Sequence, residues 1–140
     1  MVGLQHAHSY MAYLVLFFVG LAAFNALIGW IGKRDFKPMD KTIALLGLAF
    51  SHLQMLVGII LYFVSPMVVP IGDAMKNSGL RLYALEHPLI NLIAIVLITI
   101  GFSKHKKQEQ SASKFKTITL LYGIGFILLM SRIPWDNWLN

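Results

Sequence analysis

The sequence has no cysteine. That excludes a disulfide framework, a thiolate metal site and thioether attachment of a haem. Charge is scarce as well: 13% of the 140 residues are Asp, Glu, Lys or Arg, and only six are acidic. A soluble domain carries about 25%. There is no internal repeat, low-complexity stretch or domain boundary, and residues 1–140 read as one domain. No basic segment precedes the first apolar run, so the N-terminus does not have the form of a cleavable signal. Apolar residues are abundant instead, at 57% with a mean hydropathy of +0.68. A chain this short has too little interior to hide that much apolar surface, so a bilayer must supply the environment.

Four apolar runs stand out: Tyr10 to Trp30, Thr42 to Val64, Pro88 to Phe102 with upstream residues recruited, and Thr117 to about Met130. Roughly 20 helical residues cross about 30 Å of hydrocarbon. The runs lack the alternation of barrel strands, and backbone polar groups in lipid must pair internally, so helices are expected. The expected fold is an all-α membrane protein with four transmembrane helices, at 8–32, 41–64, 81–104 and 115–133, in an antiparallel up-down bundle.

The formal charge of +6 does not point to nucleic acid, because its distribution reads as membrane topology. Lys33, Arg34, Lys37 and Lys41 fall in the first loop, and Lys104, Lys106, Lys107, Lys114 and Lys116 in the third. These nine face three on the other side: Lys76, Arg81 and Arg132. Positive residues stay inside, so both termini and the Ser65 to Glu86 loop are expected outside, in a bacterial cytoplasmic membrane. Trp135 and Trp138 mark an outer aromatic belt and Trp30 an inner one. Residues 104–116 read as a short solvated linker with His105 on its surface.

The remaining chemistry lies in histidines. His6 and His8 open the first helix on the outer side, His52 lies within the second, and His87 opens the third. Ionisable groups in hydrocarbon are expensive and turn inward for a reason, and imidazole is the commonest haem-iron ligand. The first and third helices run parallel, so His8 and His87 can face one iron from opposite sides, an arrangement that four-helix bundles host. Each also has a plainer reading: His6 and His8 as interfacial side chains, His52 as a helix–helix hydrogen bond, His87 as the residue flanking Pro88 at a helix start. Depth along the helices separates His8 from His87, and His52 from His87, by roughly 10 Å each at 1.5 Å per residue, so it does not choose between the pairs. Asn91 shares a helical face with His87, and Asn25 and Gln54 are further intramembrane polar groups suited to interhelical bonds. Arg81 and Arg132 stand at the outer ends, as lipid-interface anchors or as partners for the propionates of an outer-half haem. Met11 and Met55, three residues after a histidine, are read as packing. Gly47, Ser51, Gly58, Gly123 and Gly125 allow close helix approach or leave room for a flat macrocycle.

Gln54-x-x-Val57-Gly58, then Ser78-Gly79-Leu80-Arg81-Leu82, then His87 resembles one four-helix half of haem A synthase. Over nearly its full length, through HAHSY, SHLQMLVGIILYFVSP, LEHPL and SRIPW, the chain also resembles small bacterial four-helix membrane proteins labelled cytochrome b. The resemblance implies a haem b held by His8 and His87. It departs from the synthase pattern where Gln5 and Ser9 replace a glutamate before and an arginine after the first histidine. The expectation is a b-type cytochrome with His52 as substitute ligand, exchanging electrons with a quinone, alone, as a homo-oligomer or beside a respiratory-complex partner. The alternatives are a haem-modifying or quinone-oxidising enzyme, an accessory subunit without haem, or a copper or zinc site formed by His8, His52 and His87.

Overall fold

The structure is a computed structural model and describes residues 2–138. It is all-helical across them: α1 Val2–Ile31, α2 Pro38–Val64, the short α3 Ile71–Ala74 and α4 Ser78–Arg81, a π-helical turn Leu82–Glu86, α5 His87–Lys106, α6 Ser111–Ser131 and the short α7 Trp135–Trp138. α4, the π turn and α5 form one continuous rod, Ser78–Lys106. With α1, α2 and α6 it makes four helices long and apolar enough to cross a membrane.

Small residues at helical spacing build the inner stripe. On α1 they are Val15, Val19, Ala22 and Ala26. Across from them stand Ala44, Gly47 and Ser51 on α2, Ala94, Ile98, Gly101 and Phe102 on α5, and Phe115, Ile118 and Tyr122 on α6. Absent side chains let the helices approach. A Cβ on Gly29 would stand 2.6 Å from Phe115, and one on Gly125 2.8 Å from Ile98. The buried Tyr122 hydroxyl donates to the Ala44 carbonyl at 2.7 Å, tying α6 to α2 across the core. The outward faces are apolar too: Phe17, Phe24, Phe63 and Ile127 are 60% to 81% exposed. A water-soluble monomer does not present such a continuous apolar belt, and a lipid-facing bundle must.

In cross-section the order is α2, α1, α6, α5, and the α2–α5 seam is the loosest of the four. α1 and α5 therefore face one another across the diagonal. At the basic end, Pro38 occupies the first turn of α2, where its missing N–H has no helical partner to lose. The Asp40 carboxylate accepts from the Lys37 N–H (2.8 Å), Asn25 Nδ2 (2.7 Å), Arg34 Nη1 (3.0 Å) and Arg34 Nη2 (2.9 Å). The hydrogen bond to Asp40 raises the Arg34 guanidinium above its ordinary pKa; desolvation opposes it, and the Asp40 charge adds to the rise. Lys33, at φ 51°, ends α1 in the left-handed conformation, and the Arg34 N–H then closes on Gly29 O at 3.0 Å.

Two features differ from the sequence expectation. α1 begins at Val2 and α6 at Ser111, several residues before the apolar runs. Polar residues extend a helix beyond the membrane without penalty, so apolar length marks the span and not the helix. His105 is fully buried, not on a solvated surface. α5 continues to Lys106 and places His105 four residues after Gly101 and seven after Ile98, on the inward stripe. There it packs against Phe36 (ring centroids 5.4 Å apart) and Phe102 (4.8 Å).

Candidate functional site

At the end of the bundle opposite the two lysine-rich loops, α1 carries His8 inward and α5 carries His87 inward. Their rings meet across the diagonal with centroids 6.1 Å apart and planes at 76°. The gap of roughly 10 Å inferred from sequence is not observed. Counted to the helix ends, His8 lies 23 residues before Ile31 and His87 19 before Lys106, a difference of four residues or about 6 Å.

Each ring is held by its neighbours. His87 Nδ1–H donates to the Arg132 carbonyl at 2.8 Å. A carbonyl only accepts, so Nδ1 bears the proton and Nε2 keeps the lone pair. Asn91, one turn on, sets Nδ2 3.0 Å from Nδ1 and 3.2 Å from Nε2, and of the two only Nε2 has a lone pair to accept from it. On α2, Gln54 Nε2 donates to the His8 main-chain carbonyl at 2.8 Å, pinning α1 to α2. One turn further, Gly58 lies under the imidazole: a Cβ there would stand 3.3 Å from His8 Cε1. Gln54 and Gly58, which carry the resemblance noted above, both serve His8. Three buried polar atoms around the pair have no protein partner: His8 Nδ1, Gln54 Oε1 and Asn91 Oδ1. Native interiors rarely leave such groups unpaired, and in a low-dielectric setting each is costly.

The π turn sets the position of His87. Its N–H bonds to Leu82 O, five residues back. Pro88 has no N–H, and its ring would press on the carbonyl four residues earlier, Ala84 O; widening the turn relieves that contact. Tyr62 on α2 supplies the lost donor, its hydroxyl bonding Ala84 O at 2.9 Å.

Arg81 and Arg132, which the sequence places at the outer ends, both approach Glu86, a residue it did not single out. Arg81 Nε lies 3.7 Å and Arg132 Nε 3.9 Å from the two Glu86 carboxylate oxygens. The only available signal was position: Glu86 immediately precedes His87 and is a rare acid beside the span. The C-terminal segment closes the same end. Trp138 Nε1 donates to Ser9 O at 3.2 Å, its ring packs on Tyr13 at 4.7 Å, and Asn137 Nδ2 bonds the Tyr83 hydroxyl.

His52 does not join the pair. Thr99 Oγ donates to Ile95 O at 2.7 Å, so it accepts from His52 Nε2 at 2.9 Å. Thr99 is twelve residues past His87, about 18 Å along α5. His52 is thus an exposed rung of the α2–α5 seam and cannot substitute at a His8–His87 site. Nor do His8, His52 and His87 gather as a copper or zinc site: among the described residues no three His, Cys, Asp or Glu side chains are grouped to hold a metal. His6 sits at the surface against Tyr10, ring centroids 6.2 Å apart.

The His8–His87 pair fits an iron on three counts. With metal–nitrogen bonds of about 2 Å, two imidazoles on opposite sides of one metal have centroids about 6 Å apart. Nδ1–H of His87 bonded to a carbonyl is the usual support of a ligating imidazole. His8 brings a buried nitrogen without a partner. Of the two roles read for the small residues, Gly47, against Phe18 and Tyr122, and Gly125, against Ile98, take close helix approach rather than room for a macrocycle. Comparison of the chain with protein-family models, curated proteins and solved structures gave no match.

Proposed function

We propose that this chain is a b-type cytochrome of a bacterial cytoplasmic membrane that holds one haem b between His8 and His87 and exchanges electrons with a quinone. The observation that carries this reading is the pair itself, two half-buried imidazoles from diagonal helices 6.1 Å apart at one end of the bundle. A bound haem b supplies a one-electron couple. His87 offers Nε2, and its Nδ1–H bond to Arg132 O fixes the ring's orientation and raises its basicity. Asn91 must yield that lone pair, which also frees its amide to turn. Gln54 and Gly58 fix His8 from α2. Arg81 and Arg132 bring two positive charges against the one negative charge of Glu86, so a net cation remains for the carboxylates of such a group. The excess of basic residues at the far end supports an orientation with both termini outside.

The test is a pyridine haemochrome spectrum of protein purified from haem-replete cells. One haem b per chain is expected; a colourless protein overturns the reading.

A further inference from the structure

The basic end of the bundle carries a feature that neither the histidines nor topology uses. Between the last turn of α5 and the first turns of α6 lies an open pocket of about 330 Å³. Lys104 and Gln108 line one wall; Ser113, Lys116, Leu120 and Leu121 line the other. A second hollow of about 270 Å³ shares Lys104 and adds Lys107, Ser103 and Ile100.

The lysines of the α5–α6 hairpin divide into two sets. Lys114 is turned inward, its Nζ donating to His105 O at 3.0 Å and lying over Phe36, and Lys106 lies over Phe102. Lys104, Lys107 and Lys116 are exposed, and among the described residues none has a carboxylate within ion-pair distance. The larger pocket is also ordered along the α6 axis. Ser113, Lys116 and Leu120 share one face of α6 at helical spacing, so the wall passes from hydroxyl through amine to hydrocarbon over about 10 Å. Gln108 has its oxygen occupied by the Thr117 hydroxyl at 2.8 Å and offers the pocket only its amide N–H groups. The rim therefore presents donors and cations, and the floor presents leucine.

We infer that this α5–α6 pocket is a binding site for an anionic phospholipid, its phosphate between Lys104 and Lys116 and an acyl chain over Leu120 and Leu121. A free phosphate would use the rim and leave the leucines idle. A nucleic acid would have no use for a floor that faces hydrocarbon. Basic pockets between transmembrane helices on this side of a membrane are suited to such head groups. The inference is independent of the haem reading, because the basic end is the same whatever the histidines bind.

The test titrates delipidated protein in neutral detergent with phosphatidylglycerol or cardiolipin, reading bound lipid by native mass spectrometry. Lys104→Gln with Lys116→Gln is compared with Lys33→Gln with Lys37→Gln, which removes equal charge from the same end. Each pocket lysine is expected to contribute about fivefold in affinity, from ~1 kcal/mol per basic residue at an anionic surface. The pocket variant should then bind roughly 25-fold more weakly, the control within about twofold of the parent, and Lys104→Arg with Lys116→Arg near the parent. Phosphatidylcholine should not compete. Equal loss in the control variant would overturn the site in favour of diffuse charge. Unchanged binding in the pocket variant, or displacement of the lipid by inorganic phosphate, would overturn it as well.

Discussion

The carbonyl of Ala84 offers a test of how His87 is positioned. In a regular helix it would accept from the N–H of residue 88, but that residue is Pro88, and the Tyr62 hydroxyl stands in at 2.9 Å. Tyr62→Phe deletes that donor and leaves the carbonyl without it inside the membrane. Interhelical hydrogen bonds in membrane proteins average about 0.6 kcal/mol and reach about 1.7. Pro88 offers no competing N–H, so the expected loss is near the upper end, about 1.5 kcal/mol. In a Pro88→Ala background the new N–H can take the carbonyl, and Tyr62→Phe should then cost under about 0.5 kcal/mol. The coupling is therefore about 1 kcal/mol, readable from a double-mutant cycle on equilibrium unfolding in mixed micelles. Equal losses in the two backgrounds would refute the substitution of hydroxyl for amide, and with it the explanation of the π turn.

Three further outcomes follow. Glu86→Gln should raise the haem midpoint potential by tens of millivolts, and Arg81→Gln or Arg132→Gln should lower it by a similar amount, from Coulomb interactions about 10 Å away in a partly screened site; potentiometric titration with shifts of one sign, or none, would remove the charge trio from the site. Asp40→Ala should destabilise the bundle by about 3 kcal/mol by stranding Asn25, Arg34 and the Lys37 N–H, whereas Asp40→Asn should cost less than half of that because Arg34 is partly solvated; equal losses on unfolding would deny the network. A periplasm-specific reporter fused after Asn140 should be active, while activity of a cytoplasmic reporter at that position would reverse the orientation.

The helices were legible because hydropathy sets them one at a time. Val15, Val19, Ala22 and Ala26 announce an inner stripe on α1 without reference to a partner. The closeness of His8 and His87 was legible through the resemblance and the parallel course of α1 and α5, although counting residues from the inner lysines misjudged depth, since the helices do not end level with those lysines. Other parts were not legible, for reasons of the same kind. His105 read as part of a lysine-rich linker because local polarity does not reveal that Phe36, from another loop, comes to cover it. His52 looked like a ligand by residue type, and only the pairing of α2 with α5 gives it Thr99 instead. Glu86 is one acid in a loop until Arg81 and Arg132, 51 residues apart, converge on it.

The most direct measurement is the optical spectrum of three single variants purified side by side, with haem content quantified. His87→Ala is expected to lose the haem, and His8→Ala to lose it or leave it five-coordinate. His52→Ala, whose ring bonds Thr99 far from the pair, should keep the parent's low-spin spectrum. Loss of haem in His52→Ala with a normal low-spin spectrum in His8→Ala would contradict the pairing of His8 with His87.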